Sequence, residues 1–169
     1  MTPIQFVVLG KPEPAGSKRA FAWRAKDGRS GTSVVDANPK SRGWKNDVSA
    51  AAAAAYSGEL LEGPLSVEFT FEVPRPRGHF GKRGLSPSAP AHPTARPDVL
   101  NLARAVEDAC TGILYRDDSQ IVREVLVKRY GEQARLTVRI ERPWGLTENA
   151  KPEQPLLISD PINAAVSGT

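Results

Sequence analysis

Alternation of apolar and polar residues predicts strands at both ends and in the middle of the chain. At positions 4–8, 65–73 and 136–140 every second residue is large and apolar, which is typical of a strand with one face on a core. Positions 121–130 are apolar-rich and predict another strand. Gly131 follows it and indicates a hairpin with the strand at 136–140.

Two segments carry the signals of helices. Asn38 followed by Pro39 is typical of an N-cap and first turn, and this helix should continue through six consecutive alanines to about Tyr56. A second helix should begin at Asp98, because apolar residues recur after it at the spacing of a buried stripe: Leu102, Ala105, Val106, Ala109, Cys110 and Ile113. The order of elements predicts an α+β fold, with two main helices packed on a small mixed β-sheet.

The length of 169 residues suits one domain, which we expect to span residues 1–142. Residues 143–169 contain four prolines, few large apolar residues and a net charge of −2, so we expect a disordered tail. The single cysteine excludes an internal disulfide framework. The chain shows neither an apolar run of membrane length nor the pattern of a signal peptide, and we expect a cytoplasmic protein without membrane partners.

Positive charge is concentrated between Arg75 and Pro97. These 23 residues hold five basic and no acidic side chains, with five prolines and three glycines. Since proline and glycine interrupt helices and strands, we expect a long basic loop between the third strand and the second helix. Its charge favours a polyanion such as a nucleic acid backbone, although a solvated loop without a partner is the alternative. Residues 11–31 suggest a second basic loop, with a short strand at Val34 and Val35 after it.

Carboxylates cluster around the second helix, at Asp98, Glu107, Asp108, Asp117 and Asp118. The chain turns back after the helix, which can bring Asp118 beside the helix start or middle. Carboxylates that hold a divalent cation next to a basic loop provide the combination that a nuclease needs. Each acid also has a structural explanation, as a helix cap, an Asx turn or a solvated helix face.

The residues 96–108, Arg-Pro-Asp-Val-Leu-Asn-Leu-Ala-Arg-Ala-Val-Glu-Asp, and 115–122, Tyr-Arg-Asp-Asp-Ser-Gln-Ile-Val, resemble the RusA family of Holliday junction resolvases, which are crossover junction endodeoxyribonucleases. Residues 8–12 and 74–77 are also similar to that family, and the resemblance covers roughly residues 4–142. It implies a homodimer that makes paired nicks in four-way DNA junctions during recombination or repair, with Mg²⁺, or Mn²⁺ in its place, as cofactor.

The resemblance also implies the residues of the site. Its pattern places metal ligands at Asp98 and Asp118, whereas Leu100 stands where the family has another Asp and Arg104 where it has a catalytic Lys. We expect Asp108 to be the preferred substitute ligand, because it shares a polar helix stripe with Asn101 and Arg104; Asp117 and Glu107 are the other candidates. The expected catalytic residues are Asp98, Asp118, Arg104 and Asp108, the metal ligands are Asp98, Asp118, Asp108 and Asp117, and the DNA-binding residues are Arg75, Arg77, Lys82, Arg83, Arg96, Lys18 and Arg19.

Two alternatives remain open on the sequence alone. Leu100 removes a carboxylate that the family pattern contains, so the chain could bind junction DNA with weak or no catalysis. The other alternative is an α+β domain whose basic loop binds a protein or RNA. Nicking in Mg²⁺ distinguishes the enzyme from the non-catalytic junction-binding protein. Steeply salt-dependent junction binding distinguishes both of these from a domain that binds a protein or RNA.

Overall fold

A computed structural model of the chain describes residues 2–16, 18–36 and 38–143. The described elements are two helices and eight strands, in the order β1 (Ile4–Leu9), β2 (Lys18–Arg24), β3 (Ser30–Asp36), α1 (Pro39–Ala55), β4 (Leu65–Pro74), β5 (Phe80–Gly81), β6 (Gly84–Leu85), α2 (Val99–Cys110), β7 (Ile121–Gly131) and β8 (Arg135–Glu141). The predicted α+β fold is confirmed. Neither helix of this described part is long and apolar enough to cross a membrane.

The main sheet is mixed, with the strand order β1-β8-β4-β7. β8 is antiparallel to both β1 and β4, whereas β4 and β7 are parallel. The predicted hairpin between β7 and β8 is therefore wrong, because β4 lies between them. Strands two positions apart in a sheet are separated by about 10 Å, which the three residues 132–134 can span past the end of β4.

The central strand position suits the sequence of β4. Its inward residues Leu65, Val67, Phe69 and Phe71 are fully buried, and a central strand has hydrogen-bonding partners on both edges. On its other face Glu72 is also buried, between Arg129 of β7 and Arg135 of β8. The three charged side chains link the three strands at one end of the sheet.

Both helices contribute to a single hydrophobic core with the sheet. Asn38 caps α1 by accepting a hydrogen bond from the Lys40 N–H, as predicted, and Trp44, Val48 and Ala52 are buried. The predicted stripe of α2 is also confirmed, since its apolar residues from Leu102 to Cys110 are buried. Only the last predicted member, Ile113, lies beyond the helix end and is partly buried.

Both segments that were expected to be loops contain strands. Residues 18–24 of the expected 11–31 loop form β2, which pairs antiparallel with β3; the basic residues and glycines had masked its alternating Phe21 and Trp23. The basic loop contains a 3₁₀ turn at Arg77–His79 and the short β5–β6 ladder. Beyond Pro143 the predicted tail lies outside the described residues, as do the side chains of Lys18 and Arg19.

Candidate functional site

The first predicted ligand, Asp98, is the N-cap of α2. Its carboxylate accepts hydrogen bonds from the Asn101 backbone N–H at 2.9 Å and from the Asn101 side-chain amide at 2.8 Å. These bonds, with a smaller contribution from the charge of Lys128, hold the pKa of Asp98 below its ordinary value. Asp98 is therefore an ionised carboxylate of fixed orientation at the exposed end of the helix.

Lys128 of β7 binds the segment that leads into α2. Its ammonium donates hydrogen bonds of 2.8 Å to the carbonyl oxygens of Ala95 and Pro97. Asp98 and Asn101 also line an open depression of about 740 Å³ together with Lys11, Glu13 and Arg96. Cations from two further segments thus surround the first turn of α2, and neither Lys11 nor Lys128 was expected from the sequence.

The second predicted ligand, Asp118, lies in a capped 3₁₀ turn, Asp118–Gln120. Asp117 caps the turn by accepting a hydrogen bond from the Ser119 N–H at 2.9 Å. Gln120 accepts hydrogen bonds from the backbone N–H groups of residues 116 and 117, and its amide donates to the carbonyl oxygens of Leu61 and Gly63. The Asp-Asp-Ser-Gln motif therefore builds the turn that presents Asp118.

Asp118 shares its surroundings with two other acids. Asp118, Glu107 and Glu124 line an open depression of about 310 Å³. Burial raises the pKa of Glu107 to about 8, assisted by a hydrogen bond with Glu124 and by the negative charges of Glu124, Asp118 and Asp108. A cation that enters the depression would favour the ionised form of Glu107, because it would offset the negative charges around that carboxyl group.

The two depressions lie at opposite ends of α2, which runs antiparallel to β7. The first turn of the helix meets Lys128 and the last turn meets Glu124. Asp98 and Glu107 are nine residues apart, which corresponds to about 13 Å along a helix axis. The structure therefore places Asp98 and Asp118 in separate depressions, and it brings Asp118 to the last turn of the helix.

The other predicted site residues are distributed over the surface of α2. Asp108, the preferred substitute ligand, forms an ion pair of 2.6 Å with Lys45 of α1. Arg104 is exposed on the same helix. Leu100, in the place of a family Asp, is 64% exposed in the first turn. Glu107 is thus the acid of α2 that shares a depression with Asp118.

Glu124 was missed by the sequence analysis, although the pattern of β7 contains a signal for it. Glu124 pairs with Val67 and Lys128 pairs with Phe71, so both charged residues occupy the sheet face that carries the core. Charges at two such positions on either side of Leu126 depart from the usual apolar pattern. They mark the two places where β7 meets the ends of α2.

A divalent metal has few protein ligands available in this arrangement. Among the described residues, no group of three or more His, Cys, Asp or Glu side chains is arranged to hold a metal ion. Mg²⁺ commonly uses one or two carboxylates and completes its shell with water and substrate phosphate. The hard oxygen donors of Asp118, Glu107 and Glu124 fit that mode of binding.

The basic loop presents four exposed cations and uses a fifth internally. Arg77, Lys82, Arg83 and Arg96 are exposed. Arg75 instead lies over the ring of Tyr130, at 4.1 Å from its centroid, and donates a hydrogen bond of 2.9 Å to the Pro90 carbonyl. Arg75 therefore shapes the loop that carries the other four.

Comparisons with known proteins identify the family of the chain. The family model described as endodeoxyribonuclease RusA matches residues 12–141, which include the basic loop, α2 and the Asp118 turn. The uncharacterized protein YqaN of Bacillus subtilis (strain 168) is 29% identical over 143 residues, which are 83% of this chain and 96% of that relative. The chain therefore belongs to the RusA family of endodeoxyribonucleases, Holliday junction resolvase-type nucleases.

Proposed function

We propose that the protein is a Mg²⁺-dependent, structure-selective endonuclease that cuts four-way DNA junctions in recombination or repair. The observation that carries the proposal is the acidic depression at Asp118. It occurs together with a basic loop in a protein of the RusA endodeoxyribonuclease family. Carboxylates alone repel a phosphodiester, whereas carboxylates that hold a dication attract it. The two features together therefore favour a metal-assisted phosphodiesterase.

The proposed metal ligands are Asp118 and Glu107, with Glu124 close enough to assist. This choice replaces Asp108 and Asp117, because the Asp108 carboxylate is held by Lys45 and the Asp117 carboxylate caps the 3₁₀ turn. A bound Mg²⁺ would supply an activated water and offset charge on the leaving oxygen. Asp118 and Glu107 would hold the cation beside the last turn of α2.

The basic side chains have a different proposed task. Arg77, Lys82, Arg83 and Arg96 are exposed and are proposed to grip the sugar-phosphate strands. Arg104 is proposed to stabilise the additional negative charge of the transition state, which a guanidinium can do without giving up a proton. Asp98 is not proposed as a ligand of this metal, because it lies about 13 Å from Glu107 along α2, where its carboxylate caps the helix and is held by Asn101.

A homodimer is part of the proposal, because a two-fold substrate is cut most simply by a two-fold protein. Sedimentation of the full chain with and without junction DNA measures this directly. A monomer under both conditions would contradict it.

The test is cleavage of a synthetic four-way junction, labelled on each strand in turn, in Mg²⁺, Mn²⁺ or EDTA. A linear duplex with the sequence of one arm pair is the control. We expect paired nicks that require the metal and do not occur in the linear duplex. Tight junction binding without cleavage in either metal would instead support the non-catalytic alternative, which the exposed Leu100 favours.

A further inference from the structure

The β2–β3 ribbon exposes two aromatic side chains. Among the described residues, β2 and β3 form a two-stranded sheet of their own, apart from the main sheet. Phe21 is 50% exposed and Trp23 is 41% exposed. Because they are two residues apart in one strand, both rings project from the same face of the ribbon.

The indole of Trp23 lies close against the opposite strand. Trp23 is paired with Gly31 of β3, and a Cβ at Gly31 would meet three atoms of the indole at 3.1–3.3 Å. A side chain at position 31 would therefore displace the ring. The ring edge formed by Nε1, Cε2 and Cζ2 lies against Gly31, while 41% of the residue remains exposed. Trp23 thus offers a flat surface that is already oriented before any ligand binds.

The charge of the ribbon indicates what that surface binds. Residues 18–36 contain five basic and two acidic side chains, which gives a net charge of +3. Arg24, which follows Trp23 and projects from the other face of β2, and Lys26 in the turn are both exposed, while Arg29 is paired with Asp27 at 2.8 Å. Aromatic rings interleaved with cations are typical of surfaces that stack on bases while neutralising the phosphates. Two rings are too small a patch for a stable protein interface, which needs about 800 Å² from each partner.

The base of the ribbon adjoins the depression at Asp98. The Ala15 N–H donates a hydrogen bond of 2.8 Å to the Asn101 carbonyl of α2. The Asn38 amide, at the other end of the ribbon, donates a bond of 3.0 Å to the Pro14 carbonyl. Both ends of the ribbon segment are thereby fixed beside the first turn of α2. DNA that lies across this turn is within reach of the ribbon.

We propose that the β2–β3 ribbon is a base-stacking element in which Trp23 and Phe21 engage unstacked bases of the DNA substrate, such as those where the arms of a junction meet. This inference rests on the proposed function, because it takes DNA as the substrate. The stacking adds a contact that fully paired duplex cannot offer, since its bases are covered by their neighbours. The ribbon would therefore favour junctions and other sites where bases are open, while the basic loop binds any backbone.

The test compares the affinity of the full-length protein for a four-way junction, an oligo(dT) single strand and a linear duplex. We expect Trp23→Ala to weaken junction and oligo(dT) binding by about 5- to 140-fold, the range for losing one stacked base. Phe21→Ala should act in the same direction. Duplex affinity and the salt dependence of junction binding should stay at wild-type values, because stacking releases no counterions. Trp23→Phe keeps a ring and should restore most of the affinity.

Val7→Ala is the matched control, since Val7 of β1 is an equally exposed apolar residue outside the basic loop and outside both depressions. It should bind the junction like wild type. Junction affinity that is unchanged in Trp23→Ala and Phe21→Ala would overturn the inference, and so would an equal loss on duplex. A Trp23→Ala variant that changes the oligomeric state would assign the ribbon to a contact between copies and would also overturn it.

Cleavage measured in parallel separates this inference from the proposed function. Wild-type protein that binds the junction without cutting it contradicts the nuclease, yet the effect of Trp23→Ala on binding still decides the role of the ribbon. Wild-type protein that cuts the junction, with Trp23→Ala binding equally well, contradicts the ribbon alone. Wild-type protein that binds none of the three DNAs contradicts both.

Discussion

Glu72 provides a test of the sheet that carries the site. It is 5% exposed on the central strand β4, and it accepts hydrogen bonds from Arg129 of β7, at 2.9 Å, and from Arg135 of β8. The substitution Glu72→Gln keeps the size of the side chain and removes its charge. The two neighbouring strands would then lose their shared anion.

The magnitude follows from the geometry. A hydrogen bond to a charged group contributes about 1.5–3 kcal/mol to stability. Both arginines are partly exposed and remain solvated when the anion is lost, so the lower part of the range applies. We expect Glu72→Gln to reduce the free energy of unfolding at pH 7 by about 2 kcal/mol.

The effect should depend on pH in a defined direction. The hydrogen bond from Arg135, followed by that from Arg129, holds the pKa of Glu72 below its ordinary value of 4.5, against the opposing effect of burial. A carboxylate whose pKa is lowered by folding stabilises the protein fully above its unfolded pKa, and this contribution is lost as the pH falls through the folded value. The difference between wild type and Glu72→Gln should therefore be complete at pH 7 and should shrink on acidification below pH 4.5.

Urea unfolding followed by circular dichroism at several pH values measures this difference. Glu68→Gln is the matched control, because Glu68 is an exposed residue on the same face of β4. It should change the stability by less than about 0.5 kcal/mol. A loss for Glu72→Gln that is as small as that of the control, or that is independent of pH, would contradict a stabilising role for the Glu72 charge.

Three further predictions concern the site. Arg104→Ala should reduce single-turnover cleavage much more than junction affinity; equal losses would mean that Arg104 only binds phosphate. Asp108→Asn should leave cleavage near wild type and lower the stability by at most about 1 kcal/mol, because its exposed ion pair with Lys45 is structural; loss of cleavage at full DNA binding would restore Asp108 as a ligand. Replacing the loop cations Arg77, Lys82 and Arg83 by Gln should reduce the slope of log junction affinity against log salt concentration by up to about 3. An unchanged slope would mean that the loop does not contact the DNA backbone.

Local signals in the sequence predicted the helices well. The Asp98 cap and the apolar stripe of α2 depend on residues within a few positions of one another, and both are confirmed. The alternation in β4 likewise identified its buried face. Each of these features depends on residues that are close together in the sequence, so the sequence alone is enough to predict it.

Pairings between distant elements could not be obtained in this way. The insertion of β4 between β7 and β8 joins residues about 60 positions apart, whereas Gly131 suggested only the local hairpin. The approach of Glu107 to Glu124 depends on the alignment of α2 against β7. Asp108 is only one residue from Glu107 in the sequence, but the helical turn directs it to Lys45 instead.

The position of β2 was missed for a compositional reason. Basic residues and glycines around positions 18–31 favour a loop, and they outweighed the short alternation of Phe21 and Trp23. A two-stranded ribbon buries little apolar surface, so its sequence carries a weak strand signal. The same exposure that obscured the strand makes its aromatic rings available for binding.

Metal-assisted cleavage at Asp118 is tested most directly by junction cleavage with wild type and Asp118→Asn at matched DNA occupancy in Mg²⁺. Asn keeps the size of the side chain and its place in the 3₁₀ turn while removing the charge that would hold the metal. We expect paired nicks by wild type, and full binding with no nicks by Asp118→Asn. Cleavage by Asp118→Asn at the wild-type rate would contradict metal-assisted cleavage at Asp118.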